Sequence, residues 1–356
     1  MSDNCRLEFV VEHGNFETME MSTGEMCPGS LALVTGATGF TGSVLVRQLV
    51  SQGVRVRVLA RASSDRDALK GVSVDWVVGD VFDPQAVRAA TADVNYVFHL
   101  AAAYRESGLN DDVYRKVHVV STQLLAEAVV ANPGFRRFIH TSTVGVHGHI
   151  EHPPADETAP FAPGDIYQQT KVEAELWLHA FAQPRGLPYT VIRPAAIYGP
   201  GDRRLLKVFK MALWPVFPLL GYGHHLYHLV HVEDLARAMI LASVHPAAAG
   251  EVFICGNSEA MTLEELGRIV AESLGCKCRP VRIPAWPFFL AADICETVCK
   301  PFGVAPPIYR RRVAFFTKDR SFDTRKIRQK LGYQTRYSAR DGLAKTARWY
   351  REQGWL

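Results

Sequence analysis

The sequence predicts an α/β fold in which helices cover both faces of a parallel sheet, followed by a smaller α+β domain toward the C-terminus. Three observations support this. An apolar run at 31–35 leads through a glycine-rich turn into helical spacing, strand-like runs and helical segments then alternate, and a region rich in Pro, Trp and Phe begins near residue 211. Strands separated by helices are typical of parallel sheets, because each crossover needs a long connection.

The length and composition suit one large or two modest domains, with 356 residues, 48% of them hydrophobic and 21% charged. We expect residues 30–195 to form the first domain and residues 196–356 to form mainly the second, with the chain returning to the first near 228–256. Residues 1–29 carry several acids and no apolar core segment, which predicts a mobile extension.

The turn after the first predicted strand contains Gly36, Gly39 and Gly42, three residues apart. A strand, a glycine turn and a helix in this order predict a dinucleotide site. Gly36 would allow the tight turn, Gly39 would let the backbone approach a pyrophosphate, and Gly42 would let the helix pack close to the strand. The helix N-terminus would then present free N–H groups to the phosphates.

Three motifs together resemble one family. They are Thr35-Gly-Ala-Thr-Gly-Phe-Thr-Gly42, Tyr167-Gln-Gln-Thr-Lys171 and Arg193-Pro-Ala-Ala-Ile-Tyr198-Gly-Pro. The chain resembles the extended short-chain dehydrogenase/reductase family (the NAD-dependent epimerase/dehydratase superfamily) over roughly residues 30–356. It is more similar to the 3β-hydroxysteroid dehydrogenase and dihydroflavonol reductase side. The resemblance implies a Rossmann-type doubly wound parallel sheet, a smaller C-terminal substrate domain and a nicotinamide cofactor.

The second predicted strand, 54–60, is followed by Arg61. Dinucleotide folds usually place an acid near this position to hold the ribose 2′-hydroxyl of NAD. A missing acid beside an arginine fits a 2′-phosphate better, so we favour NADP(H), with NAD(H) as the alternative. Arg61 could instead stack on the adenine.

After the third predicted strand, Asp80 begins an Asp-Val pair, and Asp83 precedes Pro84. The resemblance implies that Asp80 contacts the adenine. Asp83 is expected to cap the next helix, because aspartate is favoured at the N-cap and proline at the first helical position.

A fourth predicted strand, 94–100, ends in small residues that would let the cofactor approach. Tyr104 follows, where ligands bind in such sheets. In the helix predicted over 113–130, the family usually has an Asn that holds a proton-relay water, and this chain has His118. Its side chain could take over the relay, because histidine titrates near neutral pH, or it could take no part.

The candidate catalytic pair is Tyr167 and Lys171, four residues apart and therefore on one helix face. A tyrosine alone is a poor acid or base at neutral pH, because its ordinary pKa is about 10. A nearby ammonium favours the phenolate, so Tyr167 could exchange a proton with an alcohol or ketone. The resemblance implies that the Thr143 hydroxyl holds the substrate oxygen, with Ser142 as the alternative, and that Lys171 also holds the nicotinamide ribose.

The expected cofactor contacts lie in the glycine turn and at the strand ends: Gly36, Thr38, Gly39, Phe40, Thr41, Gly42, Arg61, Asp80, Val81, Leu100, Ala101, Ala102, Thr141, Tyr167, Lys171, Pro194 and Ala195. The expected substrate contacts are Tyr104, His147, Tyr198 and Arg203. Arg203 could grip a substrate phosphate or simply begin a solvated helix.

Composition and patterning exclude several classes of function. A net charge of +4 on 356 residues does not argue for nucleic acid. No Cys or His spacing predicts a metal site, and residues 1–29 do not form a signal peptide, so we expect a cytoplasmic protein. The apolar and basic segment 283–316 could contact a membrane surface peripherally or form domain core, and a homodimer is compatible with the sequence.

We therefore expect a small-molecule oxidoreductase that transfers hydride between nicotinamide and a secondary alcohol or ketone, with an apolar or cyclic substrate. A nucleotide-sugar epimerase with tightly held NAD is the alternative. A non-catalytic cofactor-binding sensor is a third hypothesis, which the intact Tyr167–Lys171 pair argues against.

Overall fold

The computed structural model describes residues 26–103, 110–221, 223–277, 279–302, 304, 306–310, 313 and 317–356. Its strands are β1 (Leu31–Thr35), β2 (Arg55–Ala60), β3 (Asp75–Val78), β4 (Tyr96–His99), β5 (Arg137–Thr141), β6 (Tyr189–Pro194), β7 (Ala196–Tyr198), β8 (Phe217–Leu220), β9 (Leu226–Tyr227), β10 (Leu229–His231), β11 (Glu251–Cys255), β12 (Met261–Thr262) and β13 (Pro280–Ile283).

The helices are α1 (Phe40–Ser51), α2 (Pro84–Thr91), α3 (Asp111–Arg115), α4 (Ser121–Val129), α5 (Ile166–Ala182), α6 (Leu206–Ala212), α7 (Val232–Val244), α8 (Leu263–Ser273), α9 (Trp286–Cys299), α10 (Arg325–Leu331) and α11 (Ala339–Glu352). A π-helical turn, Lys116–Val120, joins α3 to α4.

The main sheet has seven strands in the order β11-β6-β5-β4-β1-β2-β3, and every neighbouring pair is parallel. This confirms the predicted α/β fold with a Rossmann-like parallel sheet. All carboxyl ends therefore meet at one edge. The chain order reverses between β1 and β4, and such a switch point is where open α/β sheets bind ligands.

Both faces of the sheet are covered. One core cluster joins it to α1 and α7 through residues such as Leu45, Leu49 and Met239. The other joins it to α2, α4 and α5 through residues such as Leu125 and Leu178. All five residues of β1 are buried, as expected for a strand covered on both sides.

The C-terminal part contains three two-stranded sheets, which pair β10 with β7, β12 with β9 and β13 with β8. Its core joins α6, α8 and α11 through Phe209, Leu266 and Tyr350. Glu251–Cys255 returns to the main sheet as its edge strand beside β6. In the part of the chain that the structure describes, no helix is long and apolar enough to span a bilayer.

The predicted N-terminal cap of α2 is present. Asp83 accepts the N–H of Gln85 at 2.9 Å, with Pro84 at the first position of α2. A capping box also begins α8, since Thr262 and Glu265 exchange hydrogen bonds at 3.1 and 2.8 Å.

The helix predicted over 113–130 is interrupted by the π-helical turn. The Ser121 hydroxyl donates to the Val117 carbonyl at 2.5 Å, and the Thr122 hydroxyl donates to the His118 carbonyl at 2.6 Å. These hydroxyls supply partners for carbonyls at the point where the helical hydrogen-bond pattern shifts. Pattern reasoning missed the turn because the apolar spacing continues through it.

Candidate active site

The glycine turn crosses the end of β4 closely. Gly36 has φ +68°, and a Cβ there would lie 2.8 Å from the backbone N of Ala101. A Cβ on Gly42 would overlap the Gly36 carbonyl, and one on Gly39 would lie 3.3 Å from the same oxygen. Side chains at Gly36 and Gly42 would therefore force the turn apart.

The N-terminus of α1 opens directly onto this turn. Gly39 is the N-cap residue, no side chain caps this end, and the first turn carries no acid. Uncapped N–H groups and the helix dipole together attract an anion. The cradle thus fits a pyrophosphate, with Thr38, Phe40 and Thr41 beside it.

The predicted adenine side of the cleft lies beyond β2 and β3. Arg61 is exposed directly after β2, and Ala60 stands where an acid would hold a ribose hydroxyl. Asp80 follows β3, and its carboxylate accepts the N–H of Val81 at 2.8 Å. The polar end of the sheet therefore offers a cation next to β2.

Small residues line the end of β4. The backbone N–H of Ala101 donates to the Thr35 hydroxyl at 3.2 Å, which ties this segment to β1. Leu100 is partly buried, Ala101 is buried and Ala102 is exposed. The methyl side chain of Ala102 therefore leaves room for a ligand at the switch point.

Tyr167 and Lys171 lie one turn apart on α5. Lys171 is 1% exposed and donates to the Thr141 carbonyl at 2.8 Å. Burial lowers the pKa of Lys171 to about 8, and the Glu175 carboxylate partly opposes this shift. A desolvated ammonium interacts strongly with nearby developing charge, so Lys171 can favour a phenolate on half-buried Tyr167.

Thr143 and Ser142, the two candidate hydroxyls, have different surroundings. Thr143 is partly exposed, and its hydroxyl oxygen accepts the N–H of Gly145 at 3.0 Å. The Ser142 hydroxyl is buried and donates to Glu175. The geometry thus favours Thr143 over Ser142 as the group that meets a substrate oxygen, because its own O–H is not needed for the bond to Gly145.

Both ring nitrogens of His118 are engaged. Nε2 accepts the N–H of Ala103 at 3.1 Å, so the neutral ring carries its proton on Nδ1, which lies 2.7 Å from the Thr170 hydroxyl. That hydroxyl donates onward to the Ile166 carbonyl at 2.8 Å. The ring also packs edge-to-face on Tyr167, with centroids 5.3 Å apart.

These contacts favour the second alternative for His118, in which the side chain takes no part in a proton relay. The pKa of His118 is lowered to about 2, mainly by burial and secondly by the nearby Lys171 ammonium. The partner of Nε2 is the backbone N–H of Ala103, which does not exchange a proton in catalysis, so the ring lacks a second group to which it could pass one. The side chain instead ties the segment after β4 to α5 beneath Tyr167.

Two further buried histidines surround Lys171. The Thr35 hydroxyl lies 2.7 Å from Nδ1 of His99, whose Nε2 lies 3.0 Å from Ser121. Burial and Lys171 lower the pKa of His99 to about 3 and hold that of His140 well below its ordinary value. Neutral imidazoles add no second cation beneath the ammonium.

A buried ion pair that the sequence patterns did not predict links α5 to β6. Arg193 Nη2 and Glu175 Oε2 are 2.6 Å apart, with side chains 3% and 0% exposed. Glu175 follows Lys171 by four residues, and Arg193 lies in an apolar strand. Two features of the sequence could have indicated this pair: an acid on the inner face of a helix, and an arginine inside a buried strand.

This ion pair explains why His147 is not a substrate contact. His147 is 2% exposed, its Nε2 lies 3.1 Å from Arg193 Nη1, and its Nδ1 lies 3.2 Å from the Pro160 carbonyl. Since both nitrogens have protein partners, the prediction for His147 is corrected to a structural role.

Two other predicted substrate contacts lie elsewhere. The Tyr198 ring is fully buried, and it packs edge-to-face on His231 with centroids 5.4 Å apart. Arg203 is exposed and its guanidinium lies 5.1 Å from the Trp355 ring centroid, so it contacts the C-terminal end of the chain. Tyr104 lies outside the described residues. Pro194 and Ala195 are buried at the carboxyl end of β6.

The fold, the glycine cradle and the Tyr–Lys helix define a nicotinamide-dinucleotide enzyme class. The chain belongs to the NAD dependent epimerase/dehydratase family, whose model matches residues 32–256. This confirms the family resemblance seen in the motifs.

The individual relatives share less than a third of their residues with this chain. The chain is 30% identical to the 2-alkyl-3-oxoalkanoate reductase of Stenotrophomonas maltophilia, over 87% of this chain and 96% of that protein. It is 29% identical to 3beta-hydroxysteroid-dehydrogenase/decarboxylase isoform 2 of Arabidopsis thaliana, over 88% of this chain and 61% of that protein.

Among solved structures, the dTDP-glucose 4,6-dehydratase DesIV of Streptomyces venezuelae, with NAD bound, superposes with a TM-score of 0.70. It is 28% identical, and the match covers 92% of this chain and 98% of that one. An NAD(P) cofactor is thus typical of the family, and the fold is shared over nearly the whole length of both chains.

Proposed function

We propose that this protein is an NAD(P)-dependent oxidoreductase that interconverts a secondary alcohol and its ketone on a largely apolar or cyclic small molecule. One observation carries the proposal. Desolvated Lys171 lies one helical turn from Tyr167 at the carboxyl edge of the sheet, where the glycine cradle and Thr143 also lie.

The residues would divide the chemistry as follows. Tyr167 would give a proton to the ketone oxygen or take one from the alcohol. Lys171 would favour the phenolate electrostatically, and Thr143 would hold the substrate oxygen by donating its O–H. The nicotinamide, when bound, supplies or accepts the hydride.

Two relatives support an apolar substrate. Their names describe a reductase of alkyl oxoalkanoates and a dehydrogenase of hydroxysteroids, and both kinds of substrate combine a large apolar alkyl or ring portion with a ketone or hydroxyl. Exposed Arg61 next to β2, with no acid at its end, supports NADP(H) over NAD(H).

The dehydratase DesIV keeps a second candidate in view, in which the substrate is a nucleotide sugar and the cofactor is reduced and reoxidised within each turnover. Tyr198-Gly-Pro-Gly-Asp202 is compatible with it, although the side chain of Tyr198 is buried.

The test incubates the purified protein with NADPH or NADH and a panel of alkyl ketones, steroid ketones and nucleotide sugars. Net NADPH oxidation with an apolar ketone supports the proposal. Sugar conversion without net oxidation supports the second candidate. Tight cofactor binding without turnover on any member of the panel would reject both.

The Tyr167→Phe variant keeps the ring and removes the hydroxyl. We expect a loss of about 10²- to 10⁴-fold in kcat, the usual contribution of a general acid–base. Cofactor affinity should stay within about twofold. Turnover at the wild-type rate would contradict the role of Tyr167.

A further inference from the structure

The outward face of α9 carries a row of large apolar side chains. Trp286, Leu290, Ile294 and Val298 are 69%, 54%, 56% and 57% exposed, and Phe302, just beyond, is 77% exposed. Because residues four apart share a helix face, the four side chains on α9 form one row. We call this row, together with Phe302, the α9 stripe. Scattered exposed apolar residues are ordinary, but a continuous row marks an interaction surface.

The acids of α9 do not interrupt the stripe. The Asp293 carboxylate accepts a hydrogen bond from the guanidinium of Arg310 at 2.5 Å, and the Glu296 carboxylate accepts the backbone N–H of Arg310 at 2.9 Å. Both carboxylates are therefore engaged by the segment that follows α9.

The sequence that contains this helix is basic. The segment from Lys277 to Arg312 has seven basic and two acidic residues, a net charge of +5, whereas the whole chain has +4. Lys277, Arg279 and Arg282 are exposed just before α9, and Arg282 also pairs with Glu264 at 2.9 Å. An apolar face flanked by cations complements an anionic lipid surface, which attracts each nearby Lys or Arg.

We propose that the α9 stripe docks on the surface of an anionic lipid bilayer, with the helix lying in the plane of the interface. The 14 residues of α9 make a helix about 21 Å long, too short to cross a bilayer. Its face, about 10 Å wide, offers roughly 200 Å², far below the ~800 Å² per partner of a standard protein interface. A lipid surface needs no matching shape, so it fits this face better than a second copy does.

The test measures binding of the full-length protein to vesicles of phosphatidylcholine alone and of phosphatidylcholine with phosphatidylserine. The stripe variant carries Leu290→Gln, Ile294→Gln and Val298→Gln, three exposed positions that leave the core intact. The matched control is Leu176→Gln, an equally exposed leucine on α5. A charge variant carries Arg279→Glu and Arg282→Glu.

We expect wild type and Leu176→Gln to bind the anionic vesicles, with binding weakened by salt. The stripe variant should bind at least tenfold more weakly, and the charge variant should lose its preference for anionic lipid. The fluorescence of wild type, minus that of Trp286→Phe, should shift to the blue on binding. All variants should retain the wild-type circular dichroism spectrum.

Three outcomes would overturn the proposal. Wild type could fail to bind anionic vesicles, or the stripe variant could bind as tightly as wild type. Alternatively, size-exclusion chromatography could show a wild-type dimer that the stripe substitutions convert to monomer without vesicle binding, which would make a second copy the occupant. None of these results bears on the chemistry of Tyr167.

Discussion

Glu175, on the helix that carries Tyr167 and Lys171, forms a buried ion pair with Arg193, with Oε2 and Nη2 2.6 Å apart. The same carboxylate accepts the Ser142 hydroxyl, and the same guanidinium donates to the Glu157 carbonyl at 3.0 Å. The pair therefore connects three elements next to the candidate site: α5, β6 and the segment that follows β5.

Breaking this pair should destabilise the fold strongly. Glu175→Gln and Arg193→Met each leave a buried polar or charged partner uncompensated, and we expect each to lower the free energy of unfolding by about 3–5 kcal/mol. Urea denaturation measures this loss. Combining Glu175→Leu with Arg193→Met should recover part of it, because neither member of the pair is then left without its partner.

The exposed Arg115–Glu173 pair is the matched control, with side chains 51% and 43% exposed. Arg115→Ala should change the free energy of unfolding by no more than about 1 kcal/mol, since solvent screens exposed pairs. Equal losses for the exposed and the buried pair would contradict our account of this cluster.

His118 should act by position and not by proton transfer. Because burial lowers its pKa to about 2, the ring stays neutral between pH 5 and 8. His118→Phe removes the acceptor for Ala103 and the donor to Thr170, and we expect kcat to fall about tenfold through misplacement of Tyr167. The pH profile of kcat should keep its shape, and the measurement is that profile for both proteins.

The relay hypothesis makes the opposite prediction. It requires an inflection near pH 6.5 in the wild-type profile, which His118→Phe would abolish. Thr170→Val gives a second probe of the same contact, and a similar loss of kcat there would support positioning.

The sequence was sufficient for much of this architecture. The glycine turn, the alternating runs and the Asp83 cap are local signals, and each of these elements forms where it was expected. The contacts of Tyr198, His147 and Arg203 could not be read in this way, because the direction of a side chain depends on distant elements. The Tyr198 ring packs on the ring of His231. The guanidinium of Arg203 lies over the ring of Trp355, which is more than 150 positions further along the chain.

Lys171 should make stability depend on pH in an alkaline window. Its pKa is about 8 in the folded state and about 10.5 in the unfolded chain. Between these values the unfolded chain binds more protons, so the free energy of unfolding should rise with pH. The burial penalty is fully present below pH 8, and its relief by pH 10.5 amounts to at most about 3 kcal/mol.

Lys171→Met removes the titrating group and nearly keeps the shape. Urea denaturation of both proteins at pH 7.5, 9 and 10 isolates the contribution of Lys171. The difference in unfolding free energy, wild type minus variant, should increase steadily across this series. A constant difference would show that Lys171 is not desolvated.

Arg61 should set the preference between the two cofactors. A guanidinium beside β2 can make charge-assisted hydrogen bonds to a 2′-phosphate, which NAD(H) lacks. Because one such contact contributes roughly 1.5–3 kcal/mol, Arg61→Ala should weaken NADPH binding about tenfold or more and leave NADH binding nearly unchanged. Titration of protein fluorescence with each cofactor gives both dissociation constants. Arg66 is the matched control, because its guanidinium lies 4.5 Å from the Trp76 ring centroid, and Arg66→Ala should leave the ratio intact. If wild type binds NADH as tightly as NADPH, or if Arg61→Ala weakens both equally, Arg61 contacts the part of the cofactor that the two share, and the preference for NADP(H) is rejected.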